Sequence, residues 1–591
     1  MCGIFGFSDA ANGRNVIVEG LKRLEYRGYD SVGVSLKAGG RIFTFKSLEG
    51  ADGLVPEDLP PVRCGIGHTR WATHGKPDLV NAHPHRSYDG RFYIVHNGIL
   101  TNEKELRQLL ASYGIECVSQ TDSELIAHLI AYNCACRNQS AEEAVLQTAE
   151  QLKGSYTFLT LPACENKLIA YRKNASLFAG KGDGYYFSSD ITALYGLCPD
   201  AIKLDDDDMA VIDENGLRIT RFGREISKKH MDISLERDDF ADADCHMEAE
   251  IAEIPDAVAA TAASLTSPRG LASIDDAILC NAKNVIVSAC GTALHAGMYA
   301  KYLFEKLLKI PASVIPASEL RCNPFLFGKE TAALFISQSG ETSDTISALR
   351  YAASKGCTTI AVTNNRCSTL ASIADYALFL DCGPEIAVAA TKSYICQLAA
   401  SYFTVLRFGA ARNILSGDDV KLLTDDFYKV QSCLKQAVCS QSACDAAPLY
   451  GRMSTFFIGK GQDVPTAMEG SLKLKEITYK HSEAYPAGEL KHGPIALVDR
   501  NTLAIAVLTD PCVAQRIKIS VNELKARGAK VLAVTTLGLE GDYTVKLRTP
   551  SVLLAPLVTA VPLQQYALAV CRLSGLNPDK PRNLAKSVTV E

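Results

Sequence analysis

The chain has 591 residues, and at roughly 100–200 residues per domain this length predicts three or four domains. Its composition, with 47% hydrophobic and 21% charged residues, is that of a globular protein and excludes collagen, coiled coil and extensive disorder. The formal net charge of −5 offers no broad basic surface, which argues against nucleic acid as the main partner and favours a small-molecule or protein partner.

The sequence carries no signal for export or for membrane insertion. Its first residues, MCGIFGFSDA, contain neither a basic region nor a long apolar core, which predicts a cytoplasmic protein. The longest uncharged stretch, residues 551–570, contains two prolines, and we expect it to form a buried strand, turn and helix. Twenty cysteines without repeated CxxC pairs predict reduced thiols rather than a disulfide framework or a metal site, and no cofactor is expected.

Residues 2–235 form the first predicted domain. Short β-type runs such as RIFTFKS and RFYIVHNG are separated by few helical stretches, which is typical of an α+β fold. One helix is predicted after Asn102, and the capping-box spacing of Thr121 and Glu124 predicts a second. Residues 236–275 are acidic at first and lose the β alternation, so we interpret them as a linker and a helical lead-in.

The remainder of the chain shows an internal repeat of apolar strands followed by helices. The segment 284–291 resembles 454–461, shifted by 170 residues, and 355–363 resembles 527–535, shifted by 172. Two agreeing shifts predict a duplicated α/β domain with parallel sheets, which bind ligands at the carboxyl ends of their strands. We place the predicted domains at 276–415 and 445–575, followed by a C-terminal tail at 576–591.

Cys2 follows the initiator methionine, and its small side chain permits removal of that methionine. The mature residue then carries both a thiol and a free α-amine. Because an α-amine has a pKa of about 7.7–8.0, part of it is unprotonated at neutral pH and can accept the thiol proton. Cys2 is therefore a candidate nucleophile with its own general base, and the alternative is an ordinary cysteine beside a first strand.

Three later motifs supply chemical partners for Cys2. Arg70, in HTRWATH, carries a guanidinium suited to binding a carboxylate. Asn97 and Gly98 directly follow a predicted strand and offer a side-chain amide and a backbone N–H for an oxyanion hole. Asp122 opens a predicted helix, where it either binds a substrate ammonium group or simply caps the helix.

The motifs MCGI, RWATHG, HNG and TDSE, in this order, resemble the class II glutamine amidotransferase domain. This resemblance covers about the first 235 residues and implies an Ntn-hydrolase fold with four layers, αββα. It implies that Cys2 attacks the side-chain amide of glutamine and that Asn97 and Gly98 hold the oxyanion. Trp71, otherwise interpreted as a core aromatic residue, falls at the family's gate to an ammonia channel. The residues implied to bind glutamine are Arg27, Arg70, Thr73, His74 and Asp122.

Residues 337–345, SQSGETSDT, lie between a predicted strand and a predicted helix. Their hydroxyl groups, a glycine and the free N–H groups of a helix start form a site for a phosphate monoester. The segment is not a Walker loop, because the GK[ST] ending is absent. A hydroxyl-rich capping loop without a ligand is the alternative.

This loop and the duplication resemble the sugar isomerase (SIS) domain, which binds sugar phosphates and occurs as a tandem pair. With EGSLKLKE at 469–476, ELKHGP at 489–494 and PRNLAKSVTVE at 581–591, the whole chain resembles the bacterial-type glucosamine-6-phosphate synthase family. The residues implied to bind the sugar phosphate are Thr292, Ser337, Gln338, Ser339, Thr342, Val388 and Ala585.

Lys473 and Glu476 lie three residues apart on a predicted helix, so an amine and a carboxylate can converge on one carbon atom. A surface ion pair is the alternative. The resemblance implies that Glu476 is the base for proton transfer between C1 and C2 of the sugar, with Lys473 assisting. It also implies that His492 promotes ring opening, contributed by the neighbouring subunit of a homodimer, and that Lys586 binds the sugar carbonyl.

The resemblance implies glutamine-dependent conversion of fructose 6-phosphate to glucosamine 6-phosphate and glutamate, the first step of hexosamine synthesis. Ammonia would move between the two sites through a dry passage, because ammonium in water has no lone pair for attack. Ala293 and Ala390 stand where the family usually has serine, and each removes a hydroxyl group. A related amidotransferase or deglycase acting on another sugar phosphate therefore stays open, as does a catalytically silent regulator that binds sugar phosphates.

Overall fold

The computed structural model describes residues 2–71, 75–233, 245–322, 328–451 and 454–588. Thr73 and His74, both predicted to bind glutamine, lie outside the described residues, as does most of the acidic part of the predicted linker. The chain divides into two compact units, Met1–Ala241 with Ser587–Glu591, and Asp242–Lys586.

The first unit is built on two antiparallel sheets. Their strands are β1 (Gly3–Ser8), β2 (Ser31–Ala38), β3 (Arg41–Ser47), β4 (Val62–Arg70), β5 (His85–Arg86), β6 (Phe92–Leu100), β7 (Gly154–Pro162), β8 (Leu168–Lys173), β9 (Phe178–Lys181), β10 (Tyr185–Ser188), β11 (Asp200–Lys203), β12 (Asp208–Asp213), β13 (Gly216–Arg221), β14 (Arg224–Glu225) and β15 (His230–Asp232). The strand orders are β15-β11-β9-β10-β1-β4-β2-β3 and β14-β13-β12-β8-β7-β6-β5. The inner faces meet in a buried apolar layer that includes Ile4, Ile66, Val95 and Leu159.

Helices cover the outer faces of both sheets. Helix α1 (Gly13–Lys22) packs on β1 and β4, while α2 (Glu103–Ser112), α3 (Ser123–Arg137) and α4 (Ala141–Gln151) lie on the other sheet. The second helical layer shares an apolar core with its sheet, to which Leu129 and Phe158 belong. This order of layers, helix, sheet, sheet and helix, confirms the predicted α+β fold of four layers.

Helix α3 begins where it was predicted, but the capping-box prediction was wrong. Glu124 accepts the backbone N–H groups of Val118, at 2.9 Å, and Ser119, at 2.6 Å, instead of the N–H of the cap residue. Asp122 occupies the cap position without a capping hydrogen bond, and its Oδ2 accepts the N–H of Leu100 at 2.8 Å. Both carboxylates therefore accept backbone N–H groups from outside the helix, and neither caps it.

The second unit contains two parallel sheets. Their strands are β16 (Asn284–Ala289), β17 (Ala312–Pro316), β18 (Thr331–Ile336), β19 (Thr358–Thr363) and β20 (Tyr376–Phe379), then β21 (Ser454–Gly459), β22 (Ser482–Pro486), β23 (Thr502–Leu508), β24 (Lys530–Thr535) and β25 (Tyr543–Lys546). The orders β17-β16-β18-β19-β20 and β22-β21-β23-β24-β25 are the same pattern used twice. The paired segments noted in the sequence form β16 with β21 and β19 with β24, so the predicted duplication is confirmed.

Helices surround both parallel sheets, and one large apolar cluster, which includes Val287 and Phe457, draws on both repeats. They are α5 (His246–Ala252), α6 (Ile254–Thr266), α7 (Asp276–Asn281), α8 (Gly291–Leu303), α9 (Ala317–Leu320), α10 (Ser343–Ser354), α11 (Thr369–Ile373), α12 (Lys392–Ala411), α13 (Gly417–Val438), α14 (Ser442–Asp445), α15 (Asp463–Thr478), α16 (Ala514–Lys525) and α17 (Ala555–Leu573). Helices α8 and α15 follow the equivalent strands β16 and β21, and they pack against each other. The loops at their N-termini therefore lie at the carboxyl ends of these strands.

Residues 551–570 do not form the predicted strand, turn and helix, because most of them belong to α17. Pro556 lies in the first turn, where a helix needs no N–H donor, and Pro562 is accommodated inside a helix that is buried on all sides. The helix is long and apolar enough to cross a membrane by length and composition alone. However, 83% of its most apolar window is buried inside the protein, which identifies it as a core helix.

Candidate active site

Cys2 lies directly before β1 and is half-buried. Its Sγ accepts the backbone N–H of Trp71 at 3.3 Å and contacts the Trp71 carbonyl oxygen at 3.5 Å. Burial raises the pKa of the thiol, while the Trp71 N–H and the Arg70 guanidinium act in the opposite direction. Burial prevails over these groups, so the thiol keeps its proton until a base removes it, and the α-amine of the mature residue is the predicted base.

Asn97 and Gly98 lie at the end of β6, beside Cys2. The Asn97 side-chain amide donates to the Cys2 carbonyl oxygen at 3.0 Å, and its Oδ1 is 3.1 Å from the Nε2 of His68. Gly98 has a φ of +140°, and a Cβ at this position would lie 1.9 Å from the Ser155 carbonyl oxygen. Only glycine fits this backbone, and the role of Asn97 and Gly98 as an oxyanion hole stays a prediction.

Arg70 ends strand β4 and is buried, with 3% of its surface exposed. Its guanidinium donates to the carbonyl oxygens of Lys76, at 3.3 Å, and Gly75, at 3.4 Å. Burial lowers the pKa of Arg70, while Cys2 and Asp122 are among the neighbours that favour its charge. The structure therefore brings three of the predicted residues, Cys2, Arg70 and Asp122, into one electrostatic neighbourhood.

Arg27 and Trp71 complete the described part of the predicted glutamine site. Arg27 is buried and forms an ion pair with Asp190, which also accepts the Tyr26 hydroxyl at 2.7 Å. Arg27 therefore already has a carboxylate partner, and its predicted role in the glutamine site stays a prediction. The backbone of Trp71 contacts Cys2, and its suggested role as an ammonia gate stays a prediction.

A group of buried histidines behind Asn97 is not apparent from the motifs. The rings of His68 and His83 stack with centroids 4.0 Å apart, and His85 lies edge-on to His83 at 4.7 Å. His96 donates its backbone N–H to Nδ1 of His83 at 3.2 Å. Burial lowers the pKa of His68 to about 3, so its ring is neutral and its Nε2–H can donate to Asn97.

The predicted phosphate loop connects β18 to α10, at the carboxyl edge of the first parallel sheet. Ser337 and Thr342 face each other across it, with hydroxyl oxygens 3.1 Å apart, and Ser337 Oγ also accepts the N–H of Gly340 at 3.1 Å. Ser339 Oγ accepts the N–H of Glu341 at 3.2 Å, and the Gln338 carbonyl accepts the backbone N–H of Asn364, directly after β19, at 3.0 Å. The hydroxyl groups thus line a compact turn before a twelve-residue helix.

A buried charge cluster lies where α15 meets α8. Lys473 Nζ is 2.6 Å from Glu476 and 3.4 Å from Glu469, and it donates to the Thr292 hydroxyl at 3.1 Å. The alternative of a surface ion pair was wrong, because the Lys473 side chain is only 1% exposed. Burial opposes its charge, but Glu476 and Glu469 raise the pKa of Lys473 to about 12. Burial raises the pKa of Glu476, while Lys473 and Lys586 counteract this.

Lys586 lies close enough to this cluster to lower the pKa of Glu476. Its ammonium contacts Glu385 at 2.5 Å and the Ala387 carbonyl at 2.7 Å, with both charged side chains buried. Lys586 and the nearby backbone N–H groups lower the pKa of Glu385 to about 2. Val388 donates its N–H to Asp579 at 3.1 Å, which ties the tail to this loop. Ala585 precedes Lys586 and is half-buried.

His492, which was predicted to promote ring opening, lies apart from the other predicted sugar-site residues within the single chain. It ends a short 3-10 turn, Glu489–His492, and is exposed. Within the described residues it has no hydrogen bond or ion pair. Its contribution from a neighbouring subunit stays a prediction.

Two family models match the chain. One, described as a glutamine amidotransferase domain, matches residues 74–196, and the other, described as a SIS domain, matches residues 278–407 and 449–570. The first match falls in the unit that contains Cys2, and the other two fall on the duplicated parallel sheets. The fold and the site define an amidotransferase domain joined to a tandem pair of SIS domains.

Relatives are similar along the whole chain. The isomerizing glutamine–fructose-6-phosphate aminotransferases of Streptomyces coelicolor and Caldanaerobacter subterraneus are 38% and 39% identical, over 100% of both chains in each case. The C-terminal domain of glucosamine-fructose-6-phosphate aminotransferase from Francisella tularensis is 32% identical, with a TM-score of 0.55, covering 57% of this chain and 99% of that structure. This chain belongs to the family of isomerizing glutamine–fructose-6-phosphate aminotransferases.

Proposed function

We propose that this protein converts fructose 6-phosphate and glutamine into glucosamine 6-phosphate and glutamate. The observation that carries the proposal is the presence, in one chain, of two separate sets of reactive groups. Cys2 with Asn97 is suited to releasing ammonia from an amide. The buried Lys473, Glu476 and Lys586 are suited to moving protons on a sugar.

In the first reaction, removal of Met1 frees the α-amine of Cys2, which accepts the thiol proton. The thiolate attacks the side-chain amide carbon of glutamine, and Asn97 and Gly98 donate to the resulting oxyanion. Collapse expels ammonia and leaves a thioester, which water hydrolyses to glutamate and the free thiol. Arg70 binds the substrate carboxylate, and Asp122 binds its ammonium group. Arg27, Thr73 and His74 are proposed to line the same pocket.

In the second reaction, the hydroxyl-rich loop and Thr292 hold the phosphate end of fructose 6-phosphate. His492 promotes ring opening, and Lys586 binds the exposed carbonyl at C2. Ammonia replaces the carbonyl oxygen to give an imine, with loss of water. Glu476 then removes a proton from C1 and returns it to C2, while the Lys473 ammonium stabilises the charge that develops. Protonation to ammonium is avoided if ammonia reaches the sugar without entering bulk water, and Trp71 is the proposed gate.

We propose that the protein works in the cytoplasm as a homodimer and catalyses the first step of hexosamine synthesis. The twenty cysteines, none of them in a disulfide among the described residues, support a reducing compartment. The exposed position of His492 supports a second subunit, because a lone exposed imidazole is poorly placed to promote ring opening.

The test compares wild type with Cys2→Ala, using glutamine or an ammonium salt as the nitrogen donor. Wild type should form glucosamine 6-phosphate and glutamate from fructose 6-phosphate and glutamine, and its intact mass should show loss of Met1. Cys2→Ala should lose the glutamine reaction and retain the ammonium reaction. Failure of wild type to form glucosamine 6-phosphate from either donor would exclude the proposal, and full biological effect of Cys2→Ala would favour a silent regulator.

A related amidotransferase or deglycase acting on another sugar phosphate is the second candidate. It is favoured by Ala293, which is buried beside Thr292, and Ala390, which is half-buried next to Thr391. Neither side chain can donate a hydrogen bond to the sugar or its phosphate. A panel of ketose and amino-sugar phosphates distinguishes the two candidates, because a clear preference for another substrate over fructose 6-phosphate would favour the second.

A further inference from the structure

Helix α15 carries three charged residues toward α8, namely Glu469, Lys473 and Glu476, at positions i, i+4 and i+7. The side chains of Glu469 and Lys473 are only 2% and 1% exposed. Buried charges are costly for a fold, and strongly perturbed groups concentrate at functional sites. The reaction proposed above uses Lys473 and Glu476 but gives no role to Glu469.

The internal duplication shows that helix packing does not require these charges. Helix α8 is the equivalent helix of the first repeat, and its Gly297 lies against Val287 of β16 as Gly470 of α15 lies against Phe457 of β21, so the two helices match at a shift of 173 residues. The residues of α8 that match Glu469, Lys473 and Glu476 are Ala296, Ala300 and Leu303, all fully buried. The same structural position is therefore filled by uncharged side chains where no sugar chemistry is proposed.

Glu469 is held from the other repeat. Its Oε2 lies 2.7 Å from Nδ1 of His295, and its Oε1 accepts the Thr292 hydroxyl at 3.0 Å. The same hydroxyl oxygen accepts from Lys473 at 3.1 Å. The Lys473 ammonium therefore lies between two carboxylates, Glu469 on one side and Glu476 on the other.

We propose that Glu469, fixed by His295, is a positioning residue that shares the Lys473 ammonium with Glu476 and so leaves Glu476 able to take the C1 proton. This inference rests on the function proposed above. An ammonium that served Glu476 alone would stabilise its carboxylate and weaken it as a base. A second negative charge, on Glu469, divides that attraction.

The charges around Glu476 give the expected direction of the effect. Lys473 and Lys586 lower the pKa of Glu476, and Glu469 raises it. Glu385 and both carboxylates of α15 raise the pKa of Lys473. Removing the Glu469 charge should therefore lower the pKa of both Glu476 and Lys473.

The test is the pH profile of kcat for glucosamine 6-phosphate formation by Glu469→Gln. The acid limb reports the base that must be deprotonated, and the alkaline limb reports the ammonium. Both limbs should move to lower pH by about one unit, and kcat at the optimum should fall about tenfold because the base is weaker. KM for fructose 6-phosphate should stay within about twofold, since Glu469 does not contact the substrate in this proposal.

Two further variants separate positioning from loss of structure. His295→Asn removes the imidazole that holds Glu469, which leaves this carboxylate a stronger partner for Lys473, so the alkaline limb should move to higher pH. Glu305→Gln is the matched control, because Glu305 forms an exposed ion pair with Lys301 next to α8 and should change neither limb. Thermal unfolding of each variant establishes that it is folded.

A folded Glu469→Gln with an unchanged pH profile would overturn the inference, as would a rise in KM with kcat unaltered. If Glu469→Gln does not fold, the direction of the His295→Asn shift decides the question. A wild-type protein that forms no glucosamine 6-phosphate at any pH would instead overturn the proposed function, and the inference with it.

Discussion

Orientation of a single amide group determines whether the oxyanion hole can form. Asn97 can point either its oxygen or its nitrogen toward Cys2, and the neutral ring of His68 selects the nitrogen by donating to Oδ1. His68 is separated from Asn97 by 29 residues and lies on a different sheet, so no local motif indicates this contact. Sequence reasoning predicts the reacting groups here but not the group that orients the Asn97 amide.

His68→Phe should therefore reduce glutamine hydrolysis about 10- to 100-fold, because one oxyanion donor loses its orientation. Ammonium-dependent synthesis should be unchanged, since it needs no oxyanion hole. The measurement is kcat for each nitrogen donor, with the exposed His230→Phe as the control. Equal loss with both donors would contradict a role confined to Asn97.

Glu124 gives a second prediction at this scale. Burial opposes its charge, but His128 and the N–H groups of Val118 and Ser119 lower its pKa to about 2 from the ordinary 4.5. A lowered folded-state pKa stabilises the protein above about pH 4.5, and this stabilisation is lost as the pH falls toward 2. Glu124→Gln should lower the free energy of unfolding by about 2 kcal/mol at pH 7, from roughly 1.4 kcal/mol per pKa unit with a discount for partial screening.

The expected loss for Glu124→Gln should be less than about half as large at pH 3 and should approach zero only below about pH 2, where the wild-type carboxylate also becomes protonated. Chemical denaturation at pH 7 and at pH 3 provides the comparison. The matched control is Glu143→Gln at the exposed capping box of α4, whose cost should be smaller at pH 7. An equal cost of Glu124→Gln at both pH values would refute the linkage.

At the scale of elements, sequence patterns predicted structure where the signal was local. Alternating apolar runs predicted the antiparallel strands, and apolar runs followed by helices predicted both parallel repeats. The errors occurred where tertiary contacts override local rules. Glu124 accepts N–H groups of the preceding loop instead of forming the predicted capping box. Pro562 remains inside α17 because the core surrounds that helix on every side.

Where β6 pairs with β7, the backbone at position 98 accommodates only glycine. Gly98→Ala would place a Cβ against the Ser155 carbonyl at a φ of +140°. We expect loss of more than about 100-fold in glutamine hydrolysis and a fall of several degrees in the unfolding midpoint. Gly40→Ala is the control, because Gly40 also has a positive φ, +76°, but meets no atom within 4 Å. Similar effects of both changes would show that crowding at β7 is not the cause.

At the scale of the whole molecule, the sequence predicted two reactive centres but not the charges that support them. Lys586 was identified from the C-terminal motif, whereas its partner Glu385 lies 201 residues away in the chain. The same holds for His295 and Glu469, which are separated by 174 residues. Contacts of this length leave no periodicity or spacing in a single sequence, so only the folded chain reveals them.

Lys586→Met should reduce the rate of glucosamine 6-phosphate synthesis more than about 1000-fold, because the sugar carbonyl loses its partner. It also leaves Glu385 buried without its ammonium, which should lower stability by about 1–3 kcal/mol. Hydrolysis of glutamine should persist, since Cys2 belongs to the other unit. Product formation, glutamate release and thermal unfolding are compared with those of the exposed control Lys475→Met. Retained synthesis would remove Lys586 from the mechanism.

The pairing of α8 with α15 shows what fusing two copies of a fold makes possible. Identical subunits related by a twofold axis would have to carry the same side chains on both helices, so every contact between the helices would occur twice, once on each side of the axis. Because the copies here are joined in one polypeptide, each has diverged independently. One helix supplies a hydroxyl and an imidazole, and the other supplies the ionised groups, so the chain holds a single asymmetric cluster where perfect symmetry would require two.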